Sequence, residues 1–190
     1  MDDPNATPQA ALETLETERL RLRRYRKDDA ENAFRLMSDP RVMRYYPELL
    51  DRDKTSRMID NALRSYEKFG YSVLVVERLA DGAFLGHVGL LHWDDVDGRE
   101  DLEVAYMLVP EAWGHGYATE AARACRDWAF ENLGRDRIVS FIAVDNEPSI
   151  RVAQRNGMQR TARLDENRLG QPIYVYAIER ADWERRSSSQ

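Results

Sequence analysis

The 190-residue chain has one cysteine, three histidines and, among its 28 basic residues, only three lysines (Lys27, Lys54 and Lys68). A single cysteine excludes an intrachain disulfide, and the place of Cys125 on a stripe of alanines points to core packing in a reducing compartment. The net charge of −6 argues against nucleic acid as a main partner, because phosphate-backbone binding needs concentrated positive charge. No segment approaches the ~20 apolar residues of a membrane span. Residues 1–14 are polar, carry Pro4 and Pro8, and lack the apolar stretch of a signal peptide. A soluble, cytoplasmic protein without a membrane partner is expected. The histidines do not make a metal set: His87 and His92 lie five apart on one expected strand and so face opposite ways, and His115 sits in a loop. No metal site is expected.

What the chain does contain is a length suited to one domain and 43% hydrophobic residues to build its core. We expect a flexible segment over residues 1–14, a single domain over 15–186 and a flexible tail over 187–190. Periodicity predicts a strand near 19–25, a helix with Ala30, Ala33, Phe34 and Met37 on one face, and a helix over 53–68. Two strands, 71–79 and 84–93, flank an Asp81-Gly82 turn. Further strands are expected at 102–108, 137–144, 158–164 and 172–179, with a short helix at 148–155. The pattern is α+β with a mixed, mostly antiparallel sheet.

The most informative stretch runs from Val109 to Glu120. An alternating strand, Leu102 to Leu108, ends there, and Gly114-His115-Gly116 opens into a helix with Ala118, Ala121, Ala122, Cys125 and Ala129 on one stripe. Strand, glycine loop and helix together have the layout of a phosphate cradle, since glycine lets the backbone approach an anion and the first helical turn offers unpaired N–H groups; a plain strand-to-helix turn would use the same glycines. The loop lacks the Lys-Ser/Thr pair of nucleoside triphosphate sites and the spacing of the dinucleotide fingerprint. One carboxylate, Glu103, stands on a largely apolar face of the strand before the cradle, with Ala105 and Met107.

These residues resemble the GNAT superfamily of acyl-CoA-dependent N-acetyltransferases, in its RimJ/RimL-like branch of ribosomal-protein N-terminal acetyltransferases. The pyrophosphate motif maps onto Trp113-Gly114-His115-Gly116-Tyr117-Ala118, with Trp113 in place of the superfamily's Gln or Arg. A second motif follows strand 137–144 as Asp145-Asn146-Glu147-Pro148-Ser149, then a short helix to Asn156-Gly157-Met158. Thr17-Glu18-Arg19-Leu20 and Ser38-Asp39-Pro40-Arg41 also look like this branch, so the likeness spans about residues 15–183. It implies two central strands that splay to admit pantetheine, acetyl-CoA as co-substrate, and transfer to a protein N-terminus or a small-molecule amine. The implied cofactor-binding residues are Tyr106, Met107, Leu108, Gly114, His115, Gly116, Tyr117, Ala118, Thr119, Asn146 and Ser149. Glu103 is the implied general base, and Ser149 the group that handles the departing thiolate. The tyrosine acid found in many members would fall at Ala153 and is missing.

Alternatives stand beside each role. Glu103 could be a partly exposed strand residue paired with an arginine. Ser149 could be a helix-start hydroxyl and Asn146 a cap before Pro148. His92 with Asp94 is a reserve base. Tyr45, Tyr46, Tyr66 and Tyr71 could be core or could wall the acceptor site. The whole chain could instead be a non-catalytic acyl-CoA-binding or sensing protein, or a peptide-binding module, and a homodimer is among the assembly states open to it.

Overall fold

A computed structural model describes residues 11–96, 98–166 and 170–187. Its elements are β1 (Thr14–Glu16), β2 (Leu20–Arg24), α1 (Ala30–Met37), α2 (Arg52–Phe69), β3 (Val73–Arg78), β4 (Phe84–Trp93) and β5 (Asp101–Leu108). Then come α3 (Tyr117–Asn132), β6 (Arg137–Ala143), α4 (Glu147–Arg155), β7 (Gln159–Leu164), β8 (Ile173–Glu179) and α5 (Arg180–Ser187). The apolar spacing explains the helices: Ile59, Ala62 and Tyr66 are the buried side of α2, whose start is fixed by the Asp51 carboxylate accepting the Lys54 N–H at 2.7 Å.

One eight-stranded sheet runs in the order β1-β2-β3-β4-β5-β6-β8-β7. Every neighbouring pair is antiparallel except β5 and β6, which α3 joins by a crossover. β4 and β5 pair without interruption from Gly86↔Leu108 to Trp93↔Asp101. β5 and β6 meet at one register only, Glu103↔Val139, near the start of both strands. Beyond that point the two diverge, so the middle of the sheet is open toward the strands' C-terminal ends. The fold is the mixed, mostly antiparallel α+β architecture that the sequence pattern predicts, with the splayed central strands that the resemblance implies.

The main core joins Leu20, Leu22, Leu74, Val88, Leu90 and Val104 of the sheet to Ala121, Ala122, Cys125 and Phe130 of α3. Cys125 is fully buried, and burial pushes its thiol up to about 12, so it is an inert core residue. Among the described residues no helix is long and apolar enough to cross a membrane.

Two stretches depart from the expected boundaries. Of the segment 1–14, residues 1–10 lie outside the described residues. The rest is packed: Leu12 is 1% exposed, its N–H donates to the Gly70 carbonyl at 2.8 Å, and Thr14 begins β1. At the other end α5 reaches Ser187, held by Trp183, which stacks on Phe130 with 5.0 Å between ring centres and donates its indole N–H to Asp127 at 2.7 Å. Residues 188–190 of the expected tail lie outside the described residues.

Candidate active site

The glycine loop is built as a cradle. After β5, a single 3-10 turn over Pro110–Ala112 redirects the chain, and the Trp113 indole N–H donates back to the Leu108 carbonyl at 2.8 Å. Gly114 and Gly116 then adopt φ of +80° and +82°, a left-handed conformation that side-chain-bearing residues rarely take. The Glu120 N–H returns to the Gly116 carbonyl at 3.1 Å, so the N–H groups of Tyr117, Ala118 and Thr119 have no intrahelical acceptor and stand at the positive end of α3.

Arg19 braces the loop from β2's approach. Its guanidinium donates to the His115 carbonyl (3.0 Å) and to Glu120 (2.8 Å), and lies 4.7 Å from the Tyr117 ring centre. Glu120 also accepts from Thr17 Oγ1 at 2.6 Å. These bonds hold the Glu120 carboxyl below its ordinary pKa, against the opposing effect of partial burial. The Thr17-Glu18-Arg19 stretch, seen in the sequence only as a likeness, thus fixes the loop's position.

The second part of the site is the gap between β5 and β6. Val109 donates to Leu85 on β4, whereas the Val104 carbonyl accepts from Ser140 Oγ on β6 at 2.7 Å. The backbone groups of β5 therefore alternate in direction, and those of Tyr106 face the gap that β6 has left.

Glu103 stands where the strands part. It is 7% exposed, and its carboxylate accepts from the Trp93 indole N–H at 2.7 Å and the Phe141 backbone N–H at 3.3 Å. Burial pushes the carboxyl up to about 7, although both hydrogen bonds favour the charged form. Its partners are an indole and an amide, so the reading of a partly exposed strand glutamate paired with arginine does not hold.

A cavity of about 400 Å³ occupies the gap. It is lined by Asn146 and Ser149 at the start of α4, by Glu103, Tyr106 and Phe141 of the two central strands, and by Tyr45, Tyr46 and Trp93. Asn146 caps α4 by accepting the Ser149 N–H at 3.3 Å. That cap uses the serine's backbone, not its hydroxyl. The Tyr106 hydroxyl donates to the Ser149 carbonyl at 2.8 Å and ties β5 to α4 across the gap. Tyr46 leaves 48% of its surface exposed, yet burial of its hydroxyl end, with Glu103 nearby, raises that phenol to about 12.

The structure thus gathers Glu103, Tyr106, Asn146 and Ser149 around one cavity and places Gly114 to Thr119 on the cradle. Met107 and Leu108 do not line the cavity: Met107 pairs with His87 on β4, and Leu108 is in the core. The reserve base is displaced too. Directly paired residues share a sheet face, so Leu91 and Trp93 accompany Glu103 while His92, opposite Leu102, points the other way. It stacks on Phe69 at 4.6 Å and reaches Asp94 at 3.0 Å. The four tyrosines divide: Tyr66 and Tyr71 are core, and Tyr45 and Tyr46 wall the cavity. A larger depression of about 930 Å³ beside the β3–β4 hairpin contains none of the expected site residues; of its lining charges, Arg41 pairs with Asp39, Arg78 with Asp81 and Glu77 with Arg23.

Comparison with known proteins agrees with this geometry. The model of the acetyltransferase (GNAT) domain family matches residues 19–159. The uncharacterised protein YkkB of Bacillus subtilis (strain 168) is 34% identical over 163 residues, covering 85% of this chain and 93% of its own. The crystal structure of an acetyltransferase from Agrobacterium tumefaciens str. C58 is 30% identical, with a TM-score of 0.75 over 87% of this chain and 94% of its own. A spermidine N-acetyltransferase from Vibrio cholerae, solved with CoA and spermine, shares the fold at 18% identity, with a TM-score of 0.72 over 88% of this chain and 99% of its own.

Proposed function

Because the chain belongs to the GNAT acetyltransferase family, in its RimJ/RimL-type branch, we propose that it moves the acetyl group of acetyl-CoA directly onto a primary amine, with Glu103 as the base. The observation that carries this reading is the buried Glu103 carboxyl at the parting of β5 and β6. A carboxyl tuned near neutral pH can both hold and release a proton at the pH of the cell.

The chain's groups suit the co-substrate. The amides of Tyr117, Ala118 and Thr119 bind the pyrophosphate, and the backbone of Tyr106 pairs with pantetheine along the gap. Acetyl-CoA supplies an acetyl group activated as a thioester. The amine arrives mainly protonated, since an α-amine titrates near 7.7–8.0 and an alkylamine higher. Beside the buried Glu103, in a cavity lined largely by apolar and aromatic side chains, the proton moves from nitrogen to carboxylate because two neutral groups cost less there than two charges. The nitrogen lone pair then bonds to the acetyl carbon as the carbon–sulfur bond breaks, and the remaining excess proton on the new amide nitrogen passes to solvent. The Ser149 hydroxyl hydrogen-bonds the departing thiolate, which takes its proton from solvent.

Two tests follow from the geometry. Trp93→Phe removes a hydrogen bond to the ionised carboxylate, so the pKa of Glu103 should rise and the acidic limb of kcat/KM should move up by about one pH unit, with the plateau retained. An unmoved limb would detach Trp93 from the base. Ser149→Ala leaves the α4 cap in place, so it should lower turnover about 10- to 100-fold at saturating acetyl-CoA without lowering Tm. Unaltered turnover would make Ser149 a packing group.

The reading as a whole is tested by calorimetric titration with acetyl-CoA followed by thiol release against a panel of amines and N-terminal peptides. Binding together with amine-dependent release is expected. Binding without release from any of them would leave an acyl-CoA-binding protein, and absence of binding would overturn the site.

A further inference from the structure

Resting on the transferase reading above, we propose that the acceptor is a small primary monoamine on an uncharged aromatic or branched apolar body, seated against Tyr45, Tyr46 and Trp93 with its nitrogen at Glu103. Leu91, Trp93 and Glu103 share one face of the sheet, and this face meets the segment between α1 and α2 that carries Tyr45, Tyr46 and Pro47. Around Glu103 the cavity lining is consequently made largely of rings and aliphatic groups, with Ile173 and Gln171 among them.

Charge decides which amines fit. Glu103 is the only ionisable carboxyl among the described residues that line the cavity, and none of those residues is a lysine or arginine. On the α1–α2 segment the Arg44 guanidinium lies over the Tyr45 ring, 5.5 Å from its centre, and does not line the cavity, and Glu48 pairs with Lys54 at the start of α2. The Gln171 amide donates to the Tyr45 carbonyl at 2.6 Å and is part of the wall. One ammonium group therefore finds one carboxylate. A second ammonium, as in a polyamine, or a carboxylate, as in a free amino acid, would be stripped of water without a partner of opposite sign. The aromatic faces add cation–π attraction for the incoming ammonium and apolar contact for the body behind it. A peptide N-terminus would bring its own N–H and C=O groups into a wall whose Tyr45 carbonyl is already engaged.

The test compares acetyl-CoA-dependent thiol release by the full chain with 2-phenylethylamine, phenylalanine, spermidine, ethanolamine and a short peptide beginning with Phe. We expect kcat/KM for 2-phenylethylamine to exceed that for each of the others at least tenfold. Phenylalanine adds only a carboxylate to the favoured probe, spermidine adds ammonium groups, and ethanolamine lacks the apolar body. Tyr46→Ser, at a half-exposed position, should raise KM for 2-phenylethylamine about tenfold while leaving KM for acetyl-CoA unchanged. The preference fails if spermidine, phenylalanine, ethanolamine or the peptide is the better substrate, or if Tyr46→Ser leaves KM for 2-phenylethylamine untouched, with the transferase reading intact in either case. Release with none of the five from protein that binds acetyl-CoA would remove both together.

Discussion

Glu103→Gln should lower turnover 10²- to 10⁴-fold at neutral pH while acetyl-CoA affinity stays near normal. The substitution keeps the size of a side chain that accepts hydrogen bonds from Trp93 and Phe141, and it removes the oxygen proposed to take the amine proton. The pH profile separates this from general damage. With Glu103 present, activity should rise through about pH 7 and then level off, because the ammonium can deliver its proton to the ionised carboxylate inside the cavity. Without it only amine already free in solution reacts, so with an alkylamine the variant's rate should climb about tenfold per pH unit well past neutrality.

Stability should move the opposite way. The folded carboxyl keeps its proton up to about pH 7, whereas an unfolded glutamate releases it near 4.3. Between those values the folded state binds more protons, so raising the pH removes stability, and the cost is complete above pH 7. Glutamine carries no such cost. Glu103→Gln should therefore gain up to about 4 kcal/mol relative to the parent at pH 8, with little of that gain at pH 4, read as the difference in Tm between the two pH values. A glutamate kept only for structure predicts lowered stability with near-normal turnover.

Much of this site was legible before the structure because its parts are local in sequence. The cradle needs only a strand end, two glycines and a helix start within Val109 to Glu120, and the Asn146–Ser149 turn likewise sits between one strand and one helix. What escaped depends on register. That Trp93 rather than His92 reaches Glu103 follows from the pairing of Leu91 with Glu103, which periodicity alone does not set. The brace from Arg19 to His115 joins residues 96 apart, a closure no spacing rule exposes. α5 was missed because its sequence is polar throughout and one aromatic, Trp183, anchors it. The division of the four tyrosines had the same cause: Tyr66 belongs to the α2 stripe, whereas Tyr45 and Tyr46 lie on an irregular segment whose facing is set by the fold.

Gly116→Val should weaken acetyl-CoA binding more than tenfold, about 1.4 kcal/mol or more by calorimetric titration. The reason is conformational before it is steric. A Cβ on Gly116 would meet only Arg19 Nη2, at 3.5 Å, so the protein has room for it. The φ of +82° does not admit a β-branched residue without strain, and relief of that strain turns the peptide units on either side. Those units belong to the N-terminal turn of α3 and its brace from Arg19, so the amides of Tyr117, Ala118 and Thr119 lose their common aim at the pyrophosphate. Gly134→Val is the matched control: its φ is +59°, nothing lies within 4 Å of the added carbon, and it follows the other end of α3. Both variants should lose thermal stability, and only Gly116→Val should lose affinity for acetyl-CoA. Equal losses of affinity would trace the effect to α3 as a whole, and unchanged affinity in folded Gly116→Val would remove the loop from the co-substrate site.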